Sequence, residues 1–337
     1  MKLSKREMSE YLMYRYVFRE GLSINLPVDS SRIPVKTSDE LLEALERLTR
    51  EASQDGKATL ALSGGIDSAI LAKFMPKGST AYTFRCVVPG IKVTDESERA
   101  KVYADICGLK HKVVDIYWED VEAVIDGLMR HKGAPIHSIE AQIYIAAKKV
   151  KSDGFDKFIF GEIADTVYGG LGGLLSRDWL IGDFIDRYSF VMPYKVLREP
   201  EVNLKPYYTL ERDGHIDPHN FINTVFRPES LGSYYNACTT ADIKFIAPYS
   251  MTYMASPIDY SRIRSGETKY LVREAFRKLY PDLEMPEKIP MPRPVNEWFK
   301  DWEGPKRPEF FPHCTDNMTG DQKWMVWCLE RFLNLPE

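Results

Sequence analysis

The 337-residue chain contains no Cys-x-x-Cys pair: its five cysteines stand far apart, at positions 86, 107, 238, 314 and 328. That spacing removes the simplest zinc and sulfur-relay sites, and the odd count points to free, mostly buried thiols rather than a disulfide framework. Long apolar runs are missing as well, with no stretch of the roughly 18 residues that a membrane span requires. The opening stretch Met1-Lys2-Leu3-Ser4-Lys5-Arg6-Glu7 has no apolar core of the kind a signal peptide needs, so a cytoplasmic location is expected. Basic residues are not in excess. Forty-five against 49 acidic ones leave a formal charge of -4, which gives no general attraction to nucleic acid or to an anionic membrane surface. Internal repeats and low-complexity tracts are absent too. What the chain does have is 44% apolar residues, enough for a sizeable core in one large domain or two modest ones.

Periodicity divides the chain into three parts. Residues 1–56 hold the aromatic stretch Tyr11-Leu12-Met13-Tyr14-Arg15-Tyr16-Val17-Phe18 and a loop with Pro27 and Pro34. A helix is expected over 38–53, where Leu41, Leu45 and Leu48 recur at helical spacing, with Ser38 as N-cap. This part reads as an extension packed on the core. Residues 57–170 alternate strand and helix: strands at 59–62, 81–84, 111–116 and 157–160, helices after the first, at 95–107, and twice between 118 and 152. Such alternation implies an α/β fold, a mainly parallel sheet with helices on both faces, whose ligands bind beyond the carboxyl ends of the strands. Residues 171–337 lose the alternation and read as a helical layer against that sheet, closing in a helix over 321–333.

Two segments carry chemistry. Ser63-Gly64-Gly65-Ile66-Asp67-Ser68 follows the first strand and precedes a helix. A strand that turns through two glycines into a helix offers backbone N–H groups to a polyphosphate, and the serines add hydroxyl donors. The loop lacks the Gly-Lys-Ser/Thr ending of a Walker A motif. Asp67 would repel phosphate unless a divalent cation sat between them, which argues for Mg2+. The second segment, Gly161-Glu162-Ile163-Ala164-Asp165-Thr166-Val167-Tyr168-Gly169-Gly170, follows its own strand in the same way. Together they set Asp67 and Asp165 at one sheet edge, the donor set expected for Mg2+ on pyrophosphate. The plainer alternatives are a tight turn with Asp67 as a capping residue and Asp165 as a second helix cap.

With these residues in view, the chain resembles the synthetase domain of the asparagine synthetases, a branch of the ATP pyrophosphatases with an adenine nucleotide alpha hydrolase-like fold. The resemblance runs from Tyr11–Tyr16 through the phosphate loop, Asp95-Glu96, Gly108–His111 and the Gly161–Gly170 segment. It continues in Ala247-Pro248-Tyr249, the stretch from Lys269 to Phe276, Glu287-Lys288 and Trp327-Cys328-Leu329. It implies activation of a small-molecule carboxylate by ATP with release of pyrophosphate, then attack by ammonia or an amine. By position, Lys288 matches the family's catalytic lysine, with Glu162 and Asp67 beside it in the catalytic set. Ser63, Gly64, Gly65, Asp67, Ser68 and Lys269 would hold phosphate, and Leu62, Phe84 and Gly161 would meet adenine. Asp67 and Asp165 would hold the Mg2+. For Lys269 a solvated helix end is the alternative.

Departures narrow the expectation. Thr166 stands where the family continues with glutamate, and Pro248-Tyr249-Ser250-Met251 replaces Pro-Phe-Leu-Asp, which argues against aspartate as the substrate. Position 2 is Lys, where glutamine-dependent members carry the nucleophilic cysteine, so free ammonia, a separate glutaminase or an amine on the substrate is expected as nucleophile. Intramolecular lactam formation and a non-catalytic nucleotide-binding subunit are the competing readings; sulfur transfer to tRNA is disfavoured by the missing cysteine pair. Self-association is left open. His215-x-x-x-His219 has zinc-compatible spacing, but Pro218 between them breaks a regular helix. The pairs Tyr207-Tyr208 and Tyr234-Tyr235 suit either a substrate pocket or packing.

Overall fold

The computed structural model describes residues 2–19, 32–289 and 291–336. Helix α1 (Lys5–Tyr14) begins at a capping box in which Ser4 and Glu7 satisfy each other's backbone amides. Tyr11 and Tyr14 on this helix are fully buried, and their hydroxyls donate to the carbonyls of Ile136 and Asn203. The first part of the chain is thereby tied to segments more than a hundred residues away. Pro27 lies outside the described residues. Pro34 is not in a loop: it sits within β1 (Ile33–Val35), one of only two strands in a small sheet, where a missing N–H is tolerated. Helix α2 (Ser38–Ser53) is capped by Thr37, whose hydroxyl accepts from the Glu40 amide, so the cap falls one residue before the expected Ser38.

The main sheet contains β2 (Ala58–Ala61), β3 (Thr80–Cys86), β4 (Lys110–Ile116), β5 (Lys157–Ile159) and β6 (Lys244–Ile246). Their spatial order is β4-β3-β2-β5-β6, and every neighbouring pair is parallel. The fifth strand comes from residue 244 onward, so the sheet is not confined to residues 57–170. The strand β7 (Thr252–Met254) pairs with β1 in parallel.

Helices cover both faces. On one side α2, α3 (Ile66–Phe74), α4 (Ser97–Cys107) and the later helix Tyr270–Leu279 bury Leu41, Leu45, Ile70, Ala104 and Phe276 against Leu60. On the other, α5 (Trp118–Lys132), α6 (Ser138–Ser152) and the helix Arg227–Thr240 pack Ile143, Ala146 and Cys238 against Tyr82 and Phe158. Strands buried on both faces read as continuous apolar runs, and β2 is buried at all four positions. Truncating Leu60, which is wholly inaccessible, to alanine costs about 2–5 kcal/mol. A third cluster, around Phe184, Tyr207 and Phe221, holds the irregular part beyond residue 171.

Strand order reverses at β2: β3 and β4 lie to one side of it, β5 and β6 to the other. The carboxyl ends of β2 and β5 are therefore neighbours at the switch point, where a crevice opens between their loops.

Candidate active site

The loop after β2 folds onto itself through its serines. Ser68 Oγ accepts from the Ser63 amide at 3.0 Å, and Ser63 Oγ accepts from the Gly65 amide at 3.1 Å. Helix α3 then starts with no side-chain cap, which leaves its first-turn amides for an anion. Asp67 is not a capping residue; its carboxylate turns to Lys269. Gly161 is held to glycine by backbone packed against it, and Gly64 has side chains close by that would have to move for a Cβ. A Cβ on Gly64 would stand 2.5 Å from Arg99 Nε, and one on Gly161 would stand 2.9 Å from the Ser68 amide nitrogen.

The loop after β5 enters its short helix α7 (Ala164–Val167) through Ile163 at a φ of 78°, a left-handed conformation that is costly for a β-branched residue. That turn directs Asp165 toward Asp67. Gly170 follows for a steric reason: a Cβ there would come within 2.0 Å of Asp165 Oδ1 and 2.7 Å of Lys269 Cδ.

Four side chains form a line of alternating charge. Lys269 Nζ donates to Asp67 Oδ2 at 2.7 Å and Oδ1 at 3.0 Å, and also pairs with Asp165 Oδ1 at 3.0 Å. Lys288 Nζ donates to Asp165 Oδ2 at 2.8 Å. Lys269 is 7% exposed and has a φ of 52°, so it is no solvated helix end; Lys288 is half-exposed. Burial pushes the Asp67 carboxyl above its usual range, against the pull of Lys269. Asp165 is also buried, but it faces both lysines, and they outweigh burial and hold it at about 2. The Lys269 ammonium is raised despite burial by the two carboxylates.

Asp165 Oδ1 is buried and lacks a well-directed hydrogen bond, although the ammonium is near. That oxygen, paired among the described residues only with the ammonium and set beside a second carboxylate and the uncapped helix start, fits Mg2+ bound largely through phosphate oxygens and water. No group of three or more His, Cys, Asp or Glu side chains with metal-binding geometry occurs among the described residues. His215 and His219 fall on a short strand and a short helix, and His219 hydrogen-bonds Asn223.

Glu162 accepts from the Ser230 hydroxyl at 2.8 Å, and burial raises its carboxyl above the usual range. Thr166 presents nothing to the site, because its hydroxyl donates to the Ile163 carbonyl and its side chain is buried.

A cavity meets each end of the charged line. The first, about 180 Å³, touches Asp67, Ser63, Ser68 and Glu162, with Leu62, Phe84 and Gly161 in its walls. The Leu62 amide is committed to the Tyr82 carbonyl at 2.8 Å, so its own carbonyl, which accepts from Thr83, keeps one lone pair for a ligand. Tyr234 lines this cavity as well, whereas Tyr207 is buried in the aromatic cluster. The second cavity, about 710 Å³, has Lys288 and Gly170 in its wall. Ser250 and Met251, from the segment that departs from Pro-Phe-Leu-Asp, line a different depression, while Tyr249 donates to the Asp67 carbonyl at 3.2 Å.

Sequence reasoning missed Arg99, whose Nε is buried against the phosphate loop without a partner. It also missed the second cavity's cations, Arg15, Arg187 and Arg293. The only available signal for Arg99 was its position three residues after Glu96, to which it is bonded at 3.3 Å.

A parallel sheet with an uncapped glycine loop at its switch point defines a nucleotide-binding α/β protein. Within that class the chain belongs to the asparagine synthase family, whose model matches residues 39–216, more than half of the 337. Membership makes it an ATP-dependent ligase of synthetase type. Among solved structures it is similar to NMN synthetase from Francisella tularensis, at 14% identity over 76% of this chain and 100% of that one, with a TM-score of 0.29. An NH3-dependent NAD synthetase from Campylobacter jejuni matches at 12% over 76% and 100%, with a TM-score of 0.27. A predicted subunit of tRNA methyltransferase from Methanocaldococcus jannaschii matches at 16% over 67% and 86%, with a TM-score of 0.26. At such scores these likenesses carry no functional inference. No curated protein matches the chain. Among the described residues, no helix is long and apolar enough to cross a membrane.

Proposed function

We propose that this protein is an AMP-forming amide ligase. It uses ATP to adenylate a carboxylate other than aspartate, releases pyrophosphate, and passes the acyl group to ammonia or an amine. The observation that carries this reading is the line Asp67-Lys269-Asp165-Lys288, which joins a loop suited to phosphate at one end to a separate, larger cavity at the other.

In the first step an oxygen of the acid attacks the α-phosphorus of ATP, the bond to the β-phosphate oxygen breaks, and pyrophosphate departs. The first-turn amides of α3, with the Ser63 and Ser68 hydroxyls, receive the departing phosphates. Mg2+ held by Asp67 and Asp165 would neutralise charge on them. Lys269 keeps the two carboxylates together while remaining protonated. Lys288, half-exposed at the mouth of the charged line, stabilises negative charge at the reacting centre. In the second step the amine nitrogen attacks the acyl carbon and AMP leaves. Glu162, with its raised affinity for protons, accepts the proton released by the nitrogen.

The test is product analysis with ATP–pyrophosphate exchange across a panel of carboxylic acids. AMP and pyrophosphate are expected; ADP with phosphate would overturn the reading, and so would no exchange with any acid, which would leave a nucleotide-binding subunit. Lys288→Ala should lower kcat by roughly a hundredfold or more, as loss of one charge-stabilising donor does, with ATP still bound.

A further inference from the structure

The larger cavity has features that the adenylation step does not use. Its volume of about 710 Å³ lies well inside the range of roughly 300–1,000 Å³ typical of pockets for sizeable organic ligands. Its walls carry Phe190, Phe226 and Trp324, an apolar lining too extensive for a small polar amino acid. Four cations also line it, and three of them are matched. Arg15 pairs with Glu229 at 3.2 Å, Arg293 with Asp321 at 2.9 Å, and Lys288 with Asp165 at 2.8 Å. Arg187, on the helix Ile181–Tyr188, has no carboxylate within ion-pair distance among the described residues.

Around it the cavity wall is short of polar partners. The hydroxyls of Tyr188 (4% exposed) and Ser138 (1% exposed) are buried without a hydrogen-bond partner, as are Nε of Arg15 and Nε of Arg293. Native interiors rarely leave so many polar groups unmatched in one place unless a ligand or water completes them. The neighbouring backbone is open to ligand approach: Leu171, Gly172 and Gly173 form part of the wall, and the Arg187 guanidinium lies over Gly173.

We infer that the acid taken by this pocket carries a second anionic group on an apolar body: one carboxylate is presented at Lys288 for reaction while the other seats on Arg187. The assignment of the Lys288 end rests on the adenylation reading above; the second anion rests on the unmatched arginine and the apolar walls. A guanidinium and a carboxylate meet through two parallel, charge-assisted hydrogen bonds, a contact that the single carboxylate of a monoacid, held at Lys288, cannot make. A diacid should therefore bind at least tenfold more tightly than the monoacid of equal chain length.

Suberate, octanoate and aspartate, titrated calorimetrically into the full chain, test this. The expected result is that suberate binds at least tenfold more tightly than octanoate, with aspartate weakest. Arg187→Gln should abolish the preference and Arg187→Lys should keep part of it, both with an unchanged unfolding midpoint because the side chain is exposed. Equal affinities for suberate and octanoate in the parent protein would overturn the inference, as would a preference undiminished in Arg187→Gln, or no binding of suberate. AMP formation is measured in parallel. Preferential suberate binding without AMP would sink the adenylation reading and leave the anion site standing; AMP formed equally well with octanoate would do the reverse.

Discussion

The two cavities at the ends of the charged line are built in different ways. The smaller one is centred on two short segments, each following its strand, that supply Ser63, Asp67, Ser68, Gly161 and Glu162, with Phe84, Tyr234 and Met291 completing its walls. The larger one draws Arg15 from the cap that ends α1, His137 from the start of α6, Arg187 from a short helix, and Asp321 and Trp324 from the helix Gly320–Asn334. A site formed by backbone amides at a switch point is fixed by local geometry and accepts the same phosphates whatever surrounds it. A site formed by side chains from distant segments is free to change its ligand through single substitutions. The difference predicts which mutations abolish the reaction and which redirect it.

The largest effect is expected in the charged line between the two cavities. Lys269→Met leaves two carboxylates facing each other with only the half-exposed Lys288 to balance them. Removing one partner of such a buried cluster costs about 3–5 kcal/mol of stability, and AMP formation should fall at least about a thousandfold. Urea unfolding and product assays measure the two effects; a variant within tenfold of the parent would show that the lysine does not couple the cavities.

Glycines sharpen the contrast. Gly161→Ala would force a Cβ against the Ser68 amide at 2.9 Å and Asp67 Cβ at 3.1 Å, both of them parts of the phosphate loop that cannot swing away. Overpacking of this kind costs about 1–3 kcal/mol, and ATP affinity should fall ten- to a hundredfold. In the larger cavity Gly173→Ala meets only the far end of Arg187, at 3.1 Å, which can move. It should alter the KM for the acid a few-fold and leave the KM for ATP unchanged. Equal effects on ATP from both variants would erase the distinction.

Arg99→Gln ranks next. Its guanidinium lies against Gly64 with Nε unpartnered, positioned to add charge to the phosphate loop once a nucleotide is present. The KM for ATP should rise roughly tenfold with that for the acid unchanged, as loss of one charge-assisted hydrogen bond implies. An unchanged KM for ATP would reduce Arg99 to packing.

How much of this was legible in the sequence follows the same division. The glycine loops announced themselves because a strand, a turn through glycine and a helix leave a contiguous signature, and Asp67 and Asp165 came with them. Lys269 was ambiguous because its burial depends on a left-handed turn and on Gly170 two elements away. The cap of α2 was misplaced by one residue since Thr37 and Ser38 are both competent caps and only the backbone conformation selects between them. Strand β6 escaped notice because three residues, Lys244–Ile246, are too few to show alternation, and their pairing with β5 is a tertiary choice. Of the larger cavity's cations only Lys288 was assigned a role from sequence: Arg15 stood in the Tyr11–Tyr16 stretch without one, Arg187 and Arg293 carried no signal, and the three arginines, each more than a hundred residues from the next, converge only after packing.

The smallest effect concerns the wall of that cavity. His137 is buried, and its Nε2 accepts from Arg15 Nη1 at 3.0 Å, which places the proton on Nδ1. Burial first, then the charges of Arg15, Arg293 and Lys132, holds its pKa well below the ordinary value of about 6.5. The folded protein thus keeps this imidazole neutral while the unfolded chain protonates it, so the contribution to stability is complete above about pH 6.5 and is lost as pH falls. Glu229 lies on the other side, 3.7 Å from Nδ1, and burial raises its carboxyl, a shift that acts in the opposite direction as pH falls. The two are separated by comparing the parent with His137→Gln, whose side-chain carbonyl can still accept from Arg15. Both proteins contain Glu229, and only the parent contains the imidazole. Between about pH 6.5 and 5 the parent should lose up to about 1.4 kcal/mol per pH unit relative to the variant, read from urea midpoints. Parallel pH profiles for the two proteins would mean that His137 titrates normally, and that the cavity wall admits enough water to solvate its charge.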